Sequence, residues 1–176
     1  MATFSIRPAI PDDVEAVAGL LHEYVRSELK APWLGSAERL RADGFGNHFD
    51  VLIACDPDRR VIGLVAFASD YDLHVCMRGG RVLDLYVQPS WRGRGIAAAL
   101  LATAAHEISE RGGCYMKGHA LPIPKVVAFY NRCAVPFHGP EFRLSARAFR
   151  HFAGLAGKSP RELVANLPEK EWNFSD

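Results

Sequence analysis

The sequence predicts an α/β protein with one mixed, mostly antiparallel central sheet and helices on both faces. Short β-branched apolar runs that indicate strands alternate with segments of helical periodicity. A strand, a glycine-rich loop, a helix and a further strand then follow one another between residues 82 and 120. That order forms a parallel crossover. We therefore expect one parallel strand pair at the cleft beside the glycine loop and antiparallel pairing elsewhere.

The composition favours one core and excludes some partners. The chain has 176 residues, 49% of them hydrophobic, and a formal net charge of +1. This length suits a single well-buried domain. A net charge near zero gives no field that would attract nucleic acid or an anionic membrane. The longest near-apolar run, residues 96–105, is shorter than the roughly 18 residues of a membrane span, so we expect neither kind of partner.

The cysteines and histidines form no recognisable framework. Four cysteines are scattered without a Cys-x-x-Cys pair, and the N-terminal residues lack an apolar signal segment. We therefore expect a cytoplasmic protein with reduced thiols. None of the seven histidines forms a His-x-x-x-His pair, so no metal site is expected.

The first half of the chain reads as a strand, a helix, a loop and a hairpin. Alternation over residues 3–9 indicates the strand, and Pro11 with two following acids favours a helix start that continues to Leu29. A loop with a short helix over Ala37–Ala42 comes next. The runs Asp50–Cys55 and Arg60–Ser69 flank a turn-forming Asp-Pro-Asp-Arg segment and should pair as a hairpin.

The second half begins with a strand over Val82–Val87 and a largely apolar helix from Gly95 to about Arg111. Residues 114–120 read as the next strand. A short helix that contains Tyr130 follows Pro124, and one or two strands are expected over residues 137–144.

The spacing of apolar residues divides the chain into a domain over residues 1–145 and a helical extension over residues 146–176. Phe149, Phe152 and Leu155 recur at helical spacing, and they are too apolar to be left in water. We expect the extension to pack on the same domain and to cover a sheet edge. The alternative is that it supplies a homodimer contact.

An anion site is predicted where the loop meets the long helix. The first four N–H groups of a helix lack intrahelical partners, and the helix dipole adds positive potential there. Gly93 and Gly95 allow a close backbone approach, no Ser, Thr, Asp or Asn stands at the cap, and Arg92 and Arg94 add cations. A phosphate or pyrophosphate is the expected guest. The spacing fits neither a P-loop nor the dinucleotide fingerprint.

The segment LYVQPSWRGRGIAAALL resembles the acetyl-coenzyme A loop of the GNAT acyltransferase superfamily, whose pattern is Arg/Gln-x-x-Gly-x-Gly/Ala after a strand that ends in Val-x-Pro. A second segment, VVAFYNRCAVPF, is similar to the closing helix of that family with its Phe-Tyr pair. It departs from the pattern at Ile123 and Val126, and at residues 134–137 in place of a Gly-Phe pair.

The resemblance implies the GNAT fold, acetyl-CoA as cosubstrate and an amine as acceptor. It implies that the backbone of the strand end pairs with the pantetheine arm and that the loop holds the pyrophosphate. Val87 N–H would be the oxyanion donor and Tyr130 the general acid. The implied cofactor-binding residues are Leu85, Tyr86, Val87, Arg92, Gly93, Arg94, Gly95, Ile96, Ala97 and Ala98.

The sequence assigns no general base. Candidates that could take a proton from the amine, directly or through water, are Asp84, His119, Glu28, Asp70 and Asp72. Asp84 has the best claim because it lies in the strand that carries the implied cofactor contacts. The leading hypothesis is an N-acetyltransferase that acts on a primary amine of a small molecule, peptide or protein by direct attack. The alternative is a non-catalytic acyl-CoA binding or regulatory module of the same fold, which the departures near Tyr130 keep open.

Overall fold

The computed structural model describes residues 4–132 together with residues 134, 136, 151, 159, 162, 165 and 166. The chain divides into two compact units, Met1–Val127 and Ala128–Asp176. The expected strands over residues 137–144 lie outside the described residues, as does most of the extension over 146–176. The boundary at residue 145 therefore stays a prediction.

The first unit carries the sheet and most of the helices. Its strands are β1 (Ser5–Pro8), β2 (Asp50–Cys55), β3 (Val61–Asp72), β4 (Met77–Val87) and β5 (Met116–Lys117). The helices are α1 (Val14–Glu28), α2 (Ala37–Asp43), α3 (Ile96–Glu110) and α4 (Pro124–Tyr130), with 3-10 turns at Pro11–Asp13 and Pro89–Trp91. α4 crosses into the second unit.

The described sheet has five strands in the order β1-β2-β3-β4-β5. The first four are antiparallel neighbours, and β5 pairs parallel to β4 through Gly80–Met116 and Arg81–Lys117. The predicted mixed sheet with one parallel pair is confirmed, and so is the predicted hairpin of β2 and β3.

Helices cover both faces of this sheet, as predicted. On one face Val17, Leu20 and Leu21 of α1 pack in a buried cluster with Ile53 and Leu64. Strand alternation turns the intervening residues to the opposite face, where α3 contacts β2, β3 and β4. Its apolar residues Ile96, Leu100, Ala104 and Ile108 are buried.

The hairpin of β3 and β4 is longer than the sequence pattern predicts. β3 continues to Asp72, whereas the sequence predicts that it ends at Ser69. β4 begins at Met77, whereas the sequence predicts that it begins at Val82. Charged residues and two adjacent glycines made this stretch resemble a loop. In the fold Gly79 and Gly80 are buried, because the Tyr115 ring and the Ile108 side chain occupy the space that their Cβ atoms would need.

Candidate active site

The glycine loop joins the end of β4 to the start of α3, as predicted. Gly93 has φ +77° and Gly95 has φ +82°. This left-handed region costs glycine little and other residues much more. A Cβ placed at either residue would meet no atom within 4 Å. The two glycines therefore serve the backbone path and leave open space above the loop.

The first turn of α3 presents backbone donors to that space. Gly95 is the N-cap and provides no side-chain cap, and the first intrahelical bond at this end is from Ala99 N–H to Gly95 O at 3.0 Å. The N–H groups of Ile96, Ala97 and Ala98 are left without an intrahelical acceptor. Together with the helix dipole they make a site that suits a phosphate group.

The two arginines of the loop have different surroundings. Arg94 lies over the Trp91 ring at 4.6 Å and donates to Ser90 O at 3.3 Å, so it stays beside the loop. Arg92 turns back toward β4 and α1. Its Nε donates to Val87 O at 2.8 Å and its Nη2 donates to Glu28 Oε1 at 2.7 Å.

The last residues of β4 leave backbone groups on an open edge. Gln88 N–H donates to Ile62 O, so alternation along the antiparallel pair turns the N–H and C=O of Val87 and Leu85 away from β3. On that side β5 pairs only with Gly80 and Arg81. Among the described residues, no strand covers the edge of β4 after Arg81. An extended ligand can therefore pair with this edge, next to the helix N-terminus.

The side chains of Tyr86 and Gln88, at the end of β4, face α1 and both donate hydrogen bonds to Glu23. Tyr86 Oη donates to Glu23 Oε1 at 2.9 Å, and Gln88 Nε2 donates to Glu23 Oε2 at 3.2 Å. The Tyr86 ring also contacts the Tyr24 ring at a centroid distance of 5.4 Å. Burial raises the pKa of Tyr86, and the hydrogen bond to the Glu23 carboxylate raises it further. Tyr86 therefore remains a neutral donor that ties β4 to α1.

Asp84 lies two residues before Tyr86, opposite Ala66 in the register of β3 and β4. Ala66 and Tyr86 both belong to the core cluster under α1, so Asp84 shares that face. Its side chain makes no hydrogen bond or ion pair with another described residue, and its oxygens keep some contact with solvent. Partial burial raises the pKa of Asp84 to about 6. It is a carboxyl that changes protonation state close to neutral pH.

The other candidate carboxylates differ from Asp84. Glu28 is paired with Arg92, and Asp70 accepts from Lys117 Nζ and Tyr115 Oη, both at 2.6 Å. Asp72 accepts from the backbone N–H of His74, and its pKa is lowered mainly by that bond. These carboxylates already accept hydrogen bonds or ion pairs as anions, which makes them weaker proton acceptors.

Tyr130 is the last residue of α4, in the second unit. Its ring meets that of Phe129 edge-on at 5.2 Å, and its carbonyl accepts from Ala134 N–H at 2.8 Å. The side chain is partly buried.

Sequence reasoning missed the contacts between α1 and the end of β4. Glu23 and Gln88 were not singled out, and Glu28 was considered only as a base. No local motif marks them, because their role depends on how α1 packs across the end of β4. Within the described residues there is no group of three or more metal-ligating side chains, and no helix is long and apolar enough to cross a membrane.

Solved structures share this fold over most of the chain. A ribosomal-protein-alanine N-acetyltransferase from Brucella melitensis biovar Abortus 2308 has a TM-score of 0.64 at 25% identity, over 80% of this chain and 98% of that one. An aminoglycoside acetyltransferase from an uncultured soil metagenomic sample has a TM-score of 0.66 at 19% identity, over 80% and 97%. A transcriptional regulator from Bacillus halodurans C-125 has a TM-score of 0.68 at 18% identity, over 80% and 99%. The fold is that of the GNAT acyltransferases.

The sequence supports the same class. Residues 18–134 match the family model described as the acetyltransferase (GNAT) family, a range that includes the open edge of β4, the glycine loop and α3. The chain belongs to the GNAT family of acetyltransferases.

Proposed function

We propose that this protein is an N-acetyltransferase that moves the acetyl group of acetyl-CoA to a primary amine of a small molecule, peptide or protein by direct attack. The observation that carries the proposal is the uncapped N-terminus of α3 behind Gly93 and Gly95, next to an open edge of β4. A pyrophosphate suits the helix end, and an extended pantetheine arm suits the strand edge. Family membership supports this choice of ligand.

Acetyl-CoA would contact two backbone segments. The pyrophosphate would accept hydrogen bonds from the loop and the first turn of α3, with Arg94 as a nearby cation. The arm would run along Leu85, Tyr86 and Val87 and pair with the outward backbone groups of Leu85 and Val87. Arg92 opens the loop, but its guanidinium is bonded to Glu28 and Val87 O. The proposed loop residues are Arg92, Gly93, Arg94, Gly95, Ile96, Ala97 and Ala98.

The reaction would join the amine nitrogen to the acetyl carbonyl carbon. Negative charge then develops on the carbonyl oxygen, and a backbone N–H fixed in advance stabilises such charge. Val87 N–H is our candidate because it points from the strand end into the open edge beside the loop. When the tetrahedral intermediate collapses, the carbon–sulfur bond breaks and coenzyme A leaves as a thiolate.

Tyr130 is the proposed donor of the proton that this thiolate takes up. A phenol of ordinary pKa about 10 gives its proton only late to a thiolate whose acid has a pKa of about 8.5. Its main effect would be to stabilise charge that grows on sulfur. The phenolate would then regain a proton from solvent.

Asp84 is the side chain we propose for removing the proton from the acceptor. An alkylammonium group must lose a proton before its nitrogen can attack. Asp84 is partly buried, is unpaired among the described residues and is within reach of solvent, so it could act directly or through one water molecule. A base with a pKa of about 6 is ionised at pH 7 and can still accept a proton.

The relatives do not fix the acceptor. One solved structure is described as a ribosomal-protein-alanine N-acetyltransferase and another as an aminoglycoside acetyltransferase, so enzymes named for different acceptors share this fold. Our proposal therefore stays at the level of a primary amine. A cytoplasmic location and a homodimer stay predictions.

The second candidate function is a non-catalytic acyl-CoA binding or regulatory module. It is favoured by the likeness to a structure described as a transcriptional regulator and by the altered residues around Tyr130. One experiment separates the two functions. The protein is incubated with acetyl-CoA and a panel of amines that includes peptide N-termini, lysine peptides, aminoglycosides and polyamines, and free thiol is measured. Amine-dependent thiol release supports the enzyme, whereas tight binding of acetyl-CoA without release supports the module.

A further inference from the structure

We propose that Arg92 is a positioning residue that fixes the end of β4 against α1, and that it is not a ligand of the pyrophosphate. This inference rests on the proposed function, because the group that it fixes is the proposed oxyanion donor at Val87. It assigns Arg92 a different role from the one that its place in the loop motif predicts.

The contacts of Arg92 involve three separate parts of the first unit. Its Nε donates to the carbonyl of Val87 at 2.8 Å, its Nη2 donates to Glu28 at the end of α1 at 2.7 Å, and its guanidinium lies over the Tyr86 ring at 5.4 Å. The guanidinium is a planar fork, so it can hold two acceptors in a fixed relation. Loop, strand end and helix end are therefore joined through one side chain.

The charge of Arg92 is already compensated. The Glu28 carboxylate that it faces is only 20% exposed, and no other cation is paired with that carboxylate among the described residues. To bind a pyrophosphate through its side chain, Arg92 would have to leave Glu28 and the Val87 carbonyl. Arg94 has no carboxylate partner of this kind in the described part of the chain, and its charge remains available beside the loop.

The contact with Val87 matters because of its place on the strand. The N–H and C=O of Val87 both face the open edge, so a bond that anchors the carbonyl also restrains the direction of the N–H group. Small displacements of a reacting geometry are costly, since a misplacement of about 1 Å can lower a rate by about 100-fold. Loss of Arg92 should therefore affect turnover more than cofactor affinity.

The test compares Arg92→Ala with Arg94→Ala in the full chain. Titration calorimetry with acetyl-CoA should show affinity close to wild type for Arg92→Ala and a loss of about tenfold for Arg94→Ala, the scale of one charged hydrogen bond. With the best amine of the panel, kcat of Arg92→Ala should fall by about 10- to 100-fold. Equal losses of affinity in the two variants, with kcat of Arg92→Ala unchanged, would overturn the proposal.

A second readout needs no ligand. The carbonyl-carbon NMR shift of Val87 in the unliganded protein reports its hydrogen bond with Arg92. It should move in Arg92→Ala and, by a smaller amount, in Glu28→Ala, which releases the other end of the guanidinium. Arg60→Ala removes an arginine that is 77% exposed in the β2–β3 turn and should leave the shift unchanged. A Val87 shift that stays at its wild-type position in both Arg92→Ala and Glu28→Ala would exclude the positioning role.

One further variant, Arg92→Lys, separates the charge of the side chain from its shape. Arg92→Lys keeps the charge but lacks the fork, so its kcat should stay nearer to that of Arg92→Ala than to wild type. Wild-type turnover in Arg92→Lys would show that charge alone suffices, against the proposal. If Arg92→Ala does not fold, Glu28→Ala provides the same comparison with a smaller expected loss of kcat. Absence of turnover in the wild-type protein would contradict the proposed function, and the Val87 shift would still test the positioning.

Discussion

At the scale of single residues, the site depends on backbone groups more than on side chains. The proposed donors toward the phosphate are N–H groups of α3, and the proposed oxyanion donor is the N–H of Val87. Side chains such as Arg92, Glu28 and Glu23 hold these backbone groups in place. Residues that determine the backbone path therefore give the sharpest tests.

Gly95→Val should weaken acetyl-CoA binding by at least tenfold. Gly95 has φ +82°, where a β-branched residue is strained by about 1–2 kcal/mol, so the loop will move away from its path. A Cβ added at Gly95 would meet no atom within 4 Å, so the cause is backbone strain and not a clash. Calorimetry measures the affinity. Gly19→Ala, an exposed helical position with equally open space, is the matched control, and unchanged affinity in Gly95→Val would contradict the cofactor site.

Tyr130→Phe should lower kcat by about 10²- to 10⁴-fold, the range for loss of a positioned proton donor. Affinity for acetyl-CoA should remain close to wild type, because only one hydroxyl is removed. Steady-state thiol release with a saturating amine measures the effect. Wild-type turnover would mean that water protonates the thiolate and that Tyr130 has a packing role.

Asp84→Asn should stabilise the protein at pH 7 and leave its stability nearly unchanged at pH 4. The pKa of Asp84 is raised to about 6 from an ordinary 3.8. At a pH between these two values the folded state therefore holds a proton that the unfolded state has already lost. Stability therefore falls as pH rises from about 4 to about 6, by up to about 3 kcal/mol. Urea unfolding of both proteins at pH 4, 5, 6 and 7 measures the difference. A pH-independent difference would contradict the raised pKa.

At the scale of elements, the contact between α3 and β4 holds the last turn of the helix against the sheet. Ile108 of α3 lies over Gly80 of β4, and a Cβ at Gly80 would come within 2.2 Å of Ile108 Cδ1. The glycine thus lets the last turns of the helix lie close to the sheet. The same stretch of β4 pairs with β5, so the parallel pair depends on it as well.

Gly80→Ala should destabilise the first unit by about 1–3 kcal/mol, the cost of overpacking a buried site. Ile108→Ala should also destabilise it, by leaving a cavity. The free energy of unfolding of the double variant should fall by about 1 kcal/mol less than the sum of the two single losses, because the new methyl group enters the emptied space. Urea unfolding of the four proteins completes the cycle. Additive effects would show that the two side chains do not share this space.

At the scale of the whole molecule, the apolar residues of the C-terminal extension bear on solubility. Phe149, Phe152, Leu155, Leu163 and Val164 give residues 146–167 an apolar helical pattern, and burial is worth about 25 cal/mol for each Å² of apolar surface. We expect a chain that ends at Leu144 to be insoluble or to bind a hydrophobic dye. A soluble truncation that unfolds cooperatively would show that the extension is dispensable.

The sequence by itself predicted most of the elements and the glycine loop at the start of α3, because both depend on local patterns. Period-2 and period-3.6 hydrophobicity defined the β2–β3 hairpin, α1 and α3, and the two glycines of the loop marked the backbone path that the structure confirms. The tertiary structure decided which side chains meet. Arg92 turns to Glu28 and Tyr86 bonds to Glu23 because α1 packs across the end of β4, a contact between residues about 60 positions apart in the chain. Pairing at that distance depends on packing and register, and no local pattern of residues encodes it.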